Sequence, residues 1–340
     1  MKIGVAMSGG LDSTVTAAML LEQGHEVVGY FMLLPLQGAD SGLGRVREVA
    51  EVLGICLRQV DMRRIFGEKV IDYFVSTYGG GRTPNPCCYC NLVIKFGVLR
   101  DHILDDGCDK MATGHYARLI NKEGEVQLHR GRDPRKDQSY FLARLTAREL
   151  DDIVLPLGEL SKAQVRRWAR SRGLPNTEDP ESQDVCFLSG YQVADFLAKQ
   201  GLTPGQGEVV TRDGRVVGHH KGVFRYTVGQ RRGLGIPDAT PWYVAALDTQ
   251  QNRVIVSKKD ALLASRLRMT GLRFCSCRPT FPWEGLVQIR SRHQAAPARV
   301  IPAAENIFEV SFAKPQSAIT PGQLAVMYEG DRVVGSGEII

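Results

Sequence analysis

A strand-type run at residues 2–6 (Lys-Ile-Gly-Val-Ala) passes into a helix-favouring run at 13–23, closed by Gly24, through only Met7-Ser8-Gly9-Gly10-Leu11-Asp12. So short a glycine-bearing turn between a buried strand and a helix is the unit from which α/β sheets are wound. Its chemistry is as restrictive as its geometry. Glycines let the backbone approach a ligand closely, and the N–H groups at the helix N-terminus, with the hydroxyls of Ser8 and Ser13, point at an anion. The segment therefore reads as a phosphate cradle. Neither Gly-x-x-x-x-Gly-Lys nor Gly-x-Gly-x-x-Gly is present. Asp12 would be repelled by a phosphate unless a divalent cation lay between them, so it reads as a Mg²⁺ partner. The plainer reading, a glycine-rich turn capped by Asp or Ser, stays open on this segment alone.

The first two hundred residues continue the alternation. Strands are expected at 26–32, 56–60 and 110–113, and helices at 43–53, 92–106 and 162–172, the last with Ser161 as N-cap and Gly173 as terminator. The continuous apolar character of the first two strands suits a parallel sheet covered on both faces. The expectation is a doubly wound α/β domain. Beyond about residue 201 the texture changes to short β-type runs between Gly and Pro, at 207–218, 242–247, 253–256, 286–291, 307–312 and 324–328. Three domains are expected: 1–202 catalytic, 203–268 a small linker domain, and 269–340 a C-terminal β-barrel.

In 340 residues, 43% are hydrophobic and 24% charged, which suits a globular chain with ordinary cores. No run of eighteen apolar residues occurs and the chain enters a strand at once, so neither a membrane span nor a signal peptide is expected, and the place of action is expected to be the cytoplasm. The eight cysteines are then not expected to form structural disulfides. The net charge of +6 gathers in clusters: Arg130, Arg132, Arg135 and Lys136; Arg166, Arg167, Arg170 and Arg172; Arg225, Arg231 and Arg232; and Arg290, Arg292, His293 and Arg299. Separated basic clusters suit an extended phosphate backbone, although a charge run is more often a solvated helix face.

The loop Gly79-Gly80-Gly81-Arg82-Thr83-Pro84-Asn85-Pro86-Cys87-Cys88-Tyr89-Cys90-Asn91 carries Cys87-x-x-Cys90 just ahead of a helix. A thiol at that N-terminus is expected to have a lowered pKa. Cys186 stands far away in Ser182-Gln183-Asp184-Val185-Cys186-Phe187. Two other readings remain: small buried hydrophobes, or a zinc site on Cys87, Cys90, Cys275 and Cys277.

Taken together and in order, Ser8–Ser13, Phe31-Met32, the segment from Gly81 to Cys90-Asn91 with Ile94-Lys95-Phe96, Gly114-His115-Tyr116-Ala117-Arg118, Lys136-Asp137-Gln138-Ser139-Tyr140-Phe141-Leu142, the Cys186 motif, residues 226–235 (Tyr-Thr-Val-Gly-Gln-Arg-Arg-Gly-Leu-Gly) and Pro321-Gly322-Gln323 closely resemble the bacterial tRNA-specific 2-thiouridylases of the MnmA type, members of the PP-loop ATP pyrophosphatase superfamily. The resemblance spans nearly the whole chain.

It implies a PP-loop (adenine nucleotide alpha hydrolase-like) domain and replacement of the C2 oxygen of the wobble uridine by sulfur in tRNAs for lysine, glutamate and glutamine, after adenylation by ATP with Mg²⁺. By that resemblance Ala6, Met7, Ser8, Gly9, Gly10, Leu11, Asp12, Ser13, Met32 and Gly114 hold ATP, and Asn85, Pro86 and Cys87 touch the target base. His115, Lys136, Asp137, Gln138, Arg290, Ser291 and Gln323 contact tRNA. In the persulfide route Cys186 receives sulfur from a carrier protein, and Cys90 attacks the base or releases the sulfur by forming a disulfide with Cys186; in the alternative with an iron–sulfur cluster, inorganic sulfide is the donor. Many relatives carry Asp where this chain has Cys87. Three thiols on Cys87, Cys90 and Cys186 are enough to hold a [4Fe–4S] cluster with one iron open, which would replace the persulfide route. Ser291 stands where relatives often have Tyr. The rival functions are a PP-loop ligase that adenylates a small molecule and a non-catalytic RNA-binding protein.

Overall fold

A computed structural model describes residues 1–35, 39–175, 177, 185–188, 190–203 and 205–340. The N-terminal run forms β1 (Lys2–Ala6), and the glycine turn leads into α1 (Leu11–Glu22). β2 (Glu26–Leu33) and β3 (Cys56–Asp61) add on one side of β1. β4 (Lys110–Ala112) adds on the other, followed in the sheet by Ile153–Val154. All four pairings are parallel, in the order β3-β2-β1-β4 and then Ile153–Val154. The chain thus turns outward in both directions from β1 and β4, and such a switch point opens a crevice at the strands' carboxyl ends. Met7 to Ser13 lies at that crevice. The expected doubly wound sheet is present, with Ile3, Val5, Val27 and Val28 buried within it.

The expected helix at 92–106 is present, but three features were not expected: the helical segment 63–79, the earlier start and π winding of the run that contains that helix, and a hairpin. Residues 63–79 are helical throughout, and residues 86–105 form one helical run whose middle, Asn91–Leu99, is wound as a π-helix. Between β4 and Ile153–Val154 the chain throws out a hairpin, β5 (Ala117–Lys122) and β6 (Glu125–Arg130), which leaves the parallel sheet altogether. Ile153–Val154 is β7 in chain order.

The middle unit is a four-stranded sheet of β8 (Gly207–Thr211), β9 (Val216–His220), β10 (Tyr243–Asp248) and β11 (Arg253–Ser257), in the order β10-β11-β8-β9, with its own small core around Val209, Val244, Val254 and Val256. The last unit comprises β12 (Leu263–Phe274), β13 (Trp283–Gln288), β14 (Ala296–Ala304), β15 (Ile307–Ser317), β16 (Leu324–Glu329) and β17 (Arg332–Ile339). They pair antiparallel in the order β12-β15-β14-β13-β16-β17, and β17 pairs back onto β12, so the sheet closes into the expected barrel. β12 begins at Leu263, ahead of the expected boundary at 269. The irregularity between Thr270 and Arg273 lets one long strand serve both β15 and β17.

The barrel and the parallel domain are not separate bodies. β6 pairs with β17 through His129 and Arg332, so the stray hairpin extends the barrel sheet. One continuous core joins Phe66, Phe74, Ile94, Phe96 and Tyr140 of the first domain to Cys275, Leu324, Val326, Tyr328 and Val333 of the barrel.

Candidate active site

The turn after β1 is built as its sequence implies. Ser8 N–H donates to Ser13 Oγ over 3.2 Å, the two hydroxyl oxygens lie 3.3 Å apart, and Ser13 Oγ donates to Gly10 carbonyl. No side chain caps the first turn of α1, which leaves its amino end to serve a ligand. Met32 at the end of β2 and Gly114 just beyond β4 flank the same crevice. Gly114 is required there by contact: a Cβ would sit 2.9 Å from the Asp12 carbonyl carbon and 3.0 Å from Asp12 Cβ. The residues expected to hold ATP, Ala6 to Ser13 with Met32 and Gly114, therefore all sit at the carboxyl ends of β1, β2 and β4.

Two residues that sequence reasoning missed close on Asp12. Tyr116 O–H donates to Asp12 Oδ1 over 2.7 Å, and Lys162 Nζ lies 2.6 Å from the same oxygen. Lys162 is buried. It is the first residue of the helix Lys162–Arg170, whose Ser161 and Gln164 form a capping box. The carboxylate expected to partner Mg²⁺ is therefore paired with an ammonium. A cation entering the crevice has to compete with Lys162 for that oxygen or add to the free side of the group.

The cysteine loop is held from both sides. Asn85 caps the helical run, its Oδ1 accepting from Cys88 N–H over 3.1 Å, with Pro86 in the first position. The barrel loop clamps what comes before. Thr83 N–H donates to Pro321 carbonyl, and Gln323 Nε2 donates to the carbonyls of Thr83 and Pro84 over 2.9 and 3.0 Å. Gly322 passes so near that a Cβ would lie 2.8 Å from Thr83 oxygen, and its φ is +90°.

Cys87 and Cys186 are exposed and Cys90 is half-buried. The charges of the three thiols act on one another, and the Lys95 ammonium acts on all of them, so they gather on one side of the loop. The expected lowering of thiol pKa at the helix terminus is not found. Burial pushes Cys90 up to about 12, against the pull of Lys95. The protein packed around the accessible thiols raises Cys87 and Cys186 too, because it desolvates the thiolate. Among the described residues no three His, Cys, Asp or Glu side chains come together as a metal-ligand set. Cys87, Cys90 and Cys186 as placed do not themselves form such a set. The zinc alternative fails on distinct grounds: Cys275 is buried with its Sγ donating to Ala143 carbonyl, and Cys277 donates to the Glu125 carboxylate on the hairpin. Residues 182–184 of the Cys186 motif lie outside the described residues.

The residues expected to touch tRNA divide into two kinds. Ser291 is exposed and Lys136 is half-buried. Others are occupied internally. His115 is buried with Nδ1 2.8 Å from Thr113 Oγ1, and burial, then the Lys95 charge, keeps it neutral. Asp137 accepts from the N–H groups of Gly131 and Ser139, from Ser139 Oγ, and from Arg130 Nη1 over 2.8 Å. Gln138 Oε1 accepts from Tyr116 N–H, and Arg290 Nη1 donates to Ser317 carbonyl. Arg290 and Gln323 nevertheless line a cavity of about 420 Å³, with Thr83, Thr227, Tyr243 and Lys259, where the cysteine loop, middle unit and barrel meet. Pro321-Gly322-Gln323 thus carries a structural task that its sequence did not disclose.

The parallel sheet with its phosphate turn at the switch point defines a PP-loop protein. Family profiles match along the chain: the "tRNA methyl transferase HUP domain" over residues 1–190, the "tRNA methyl transferase PRC-barrel domain" over 194–258, and the "Aminomethyltransferase beta-barrel domain" over 264–339. A protein of Syntrophotalea carbinolica named tRNA-specific 2-thiouridylase MnmA is 44% identical, covering 98% of this chain and 97% of its own. One of Geobacter metallireducens with the same name is 43% identical, covering 99% and 96%. The chain belongs to this tRNA-specific 2-thiouridylase family. Among solved structures, a 4-thiouridine synthetase–RNA complex with bound ATP aligns with a TM-score of 0.38 at 16% identity, over 58% of this chain and 50% of that one.

Proposed function

We propose that this protein is a tRNA-uridine 2-sulfurtransferase that adenylates the C2 oxygen of the wobble uridine with ATP and replaces it by sulfur, in tRNAs for lysine, glutamate and glutamine. The observation that carries the reading is full-length identity of 44% to a relative bearing that activity's name, joined to a phosphate turn and a thiol-bearing loop in one domain. A uracil carbonyl oxygen is a poor leaving group, and transfer of AMP to it makes it a good one. Ser8 to Ser13 would receive the departing pyrophosphate. Asp12 would hold Mg²⁺, which when bound offsets phosphate charge.

The exposure of the thiols favours the persulfide route. Cys186, exposed, is reachable by a donor. Its persulfide would attack C2 through the terminal sulfur and expel AMP. Cys90 would then attack Cys186 Sγ, breaking the S–S bond, releasing 2-thiouridine and leaving a Cys90–Cys186 disulfide for an external dithiol to reduce. A base turned out from a single-stranded anticodon loop is the geometry this needs. Action on tRNA puts the work in the cytoplasm, and no helix among the described residues is long and apolar enough to cross a membrane.

The test is pyrophosphate release and 2-thiouridine formation on an unmodified tRNA transcript. Pyrophosphate should form only with tRNA present, and Cys186→Ser should abolish thiolation while tRNA affinity is retained. Release without tRNA would point to a small-molecule ligase. About four iron and four sulfide per chain in anaerobically purified protein, lost in Cys87→Ser, would replace the persulfide route.

A further inference from the structure

The thiol-bearing turn is held by one contact that neither the nucleotide crevice nor the barrel clamp supplies. The rings of Tyr73 and Tyr89 lie face to face, their centroids 4.1 Å apart and their planes inclined by 18°. Tyr89 sits between Cys88 and Cys90 in the helical turn Pro86–Cys90. Tyr73 belongs to the helix Asp72–Gly79, across the loop that leads into that turn. Both rings are half-buried.

Such a stack resists rotation of the turn about its axis. At about 100° per residue, Tyr89 stands about 160° around the turn from Cys87, so pinning the ring directs Cys87 to the exposed side. The other contacts constrain this rotation less. The bond from Cys88 N–H to Asn85 Oδ1 is internal to the turn. Cys88 Sγ reaches the Tyr140 carbonyl over 3.7 Å, and Asn91 Nδ2 donates to the Phe141 carbonyl only beyond the last thiol. Downstream, Asn91–Leu99 closes its hydrogen bonds at i→i+5, so no unbroken α-helical repeat carries the phase of residues 100–105 back to the cysteines. A cavity of about 90 Å³ adjoins the turn, lined by Tyr73, Cys88, Tyr89 and Leu92 together with Gly322 and Leu324 of the barrel. Space of that kind leaves the turn without close packing on this side, and the stacked ring is what stands against a roll into it.

We propose that Tyr73 is a positioning residue for sulfur transfer: stacked on Tyr89, it fixes the rotation of the turn Pro86–Cys90 and with it the directions of Cys87 and Cys90. The inference rests on the thiolating reading above. Transfer from Cys186 followed by attack of Cys90 requires both sulfurs at one acceptor, and a misplacement of about 1 Å there costs up to about a hundredfold in rate.

Tyr73→Phe keeps the stack, Tyr73→Leu keeps apolar volume without it, and Tyr73→Ala removes both. Two quantities are read for each variant. One is the single-turnover rate of thiolation at saturating tRNA. The other, with neither tRNA nor ATP present, is the rate at which iodoacetamide labels Cys90 relative to Cys87. Affinity for tRNA and the urea midpoint are measured alongside. Tyr73→Leu and Tyr73→Ala should slow thiolation about tenfold with tRNA affinity kept, and should raise the labelling of Cys90 relative to Cys87. Tyr73→Phe should match the wild type in both. Because Tyr73 acts through its partner, Tyr73→Ala combined with Tyr89→Ala should lose no more than the larger single loss. An unchanged rate and labelling ratio in Tyr73→Leu overturn the inference. So does a slower rate that follows the urea midpoint with the labelling ratio intact, which would make the stack a stability contact, and so do losses that add in the double variant. If the wild type does not thiolate the transcript, the thiolating reading fails and the labelling ratio still judges the hold on the turn.

Discussion

At the scale of single residues, Asp12 is the group on which Tyr116 and Lys162 converge. Tyr116→Phe removes one of its two hydrogen bonds at constant volume, for an expected loss of about 1 kcal/mol, read as a lower urea midpoint, and with it a slower pyrophosphate release. The buried thiols give a pH dependence of definite sign. Burial lifts Cys275 to about 12 from the ordinary 9.0. Between those values the unfolded chain loses a proton that the folded chain keeps, so stability is full below pH 9 and falls as pH rises. The slope is about 1.4 kcal/mol per pH unit per thiol. Cys275→Ala should flatten the fall in urea midpoint from pH 9 to 10.5 by that increment, and an unchanged slope would rule out the buried thiol as its source. The sequence disclosed Ser8, Asp12 and Ser13 because loop chemistry is local. It did not disclose Lys162, because a lysine that starts a helix 150 positions later looks like any other N-terminal helix residue until the fold brings it to 2.6 Å from the carboxylate.

At the scale of elements, the barrel loop 321–323 sets the position of the cysteine loop. Gly322→Ala places a methyl group 2.8 Å from Thr83 oxygen at a φ of +90°, so the loop must shift. Because displacement of about 1 Å at a reacting centre costs up to about a hundredfold in rate, single-turnover thiolation should fall by tenfold or more while equilibrium tRNA affinity changes little. An equal loss in both would make the loop a binding element instead. Four of the five strands of the parallel sheet were legible, the first two because apolar runs of that length have few alternatives, whereas the two-residue Ile153–Val154 is too short to show a pattern. The hairpin at 117–130 and the strands at Ala296–Ala304 and Arg332–Ile339 were not. Pro297 and Pro302 interrupt one, glycines interrupt another, and their partners are remote in sequence. The helix after Cys90 was legible, but its π winding was not, since nothing in a 3.6-residue pattern announces a wider turn.

At the scale of the whole molecule, the first domain and the barrel share one core while the middle unit keeps its own. Calorimetry should therefore resolve two transitions, the larger one unfolding parallel sheet and barrel together. A chain ending at residue 202 should be insoluble or lack cooperative unfolding, because it leaves Tyr140, whose hydroxyl donates to Leu324 carbonyl over 3.0 Å, and the edge of β6 without their cover. A folded, ATP-binding fragment would show that the shared core is dispensable.

The pairing of β6 with β17 also orders events in time. The nucleotide turn precedes the strand Arg332–Ile339 in the chain. Domains ordinarily complete themselves as they emerge from the ribosome, but this one stays open along one side until that strand has emerged to pair with β6. A nascent chain therefore carries its phosphate turn and its thiols before the sheet that covers them is complete.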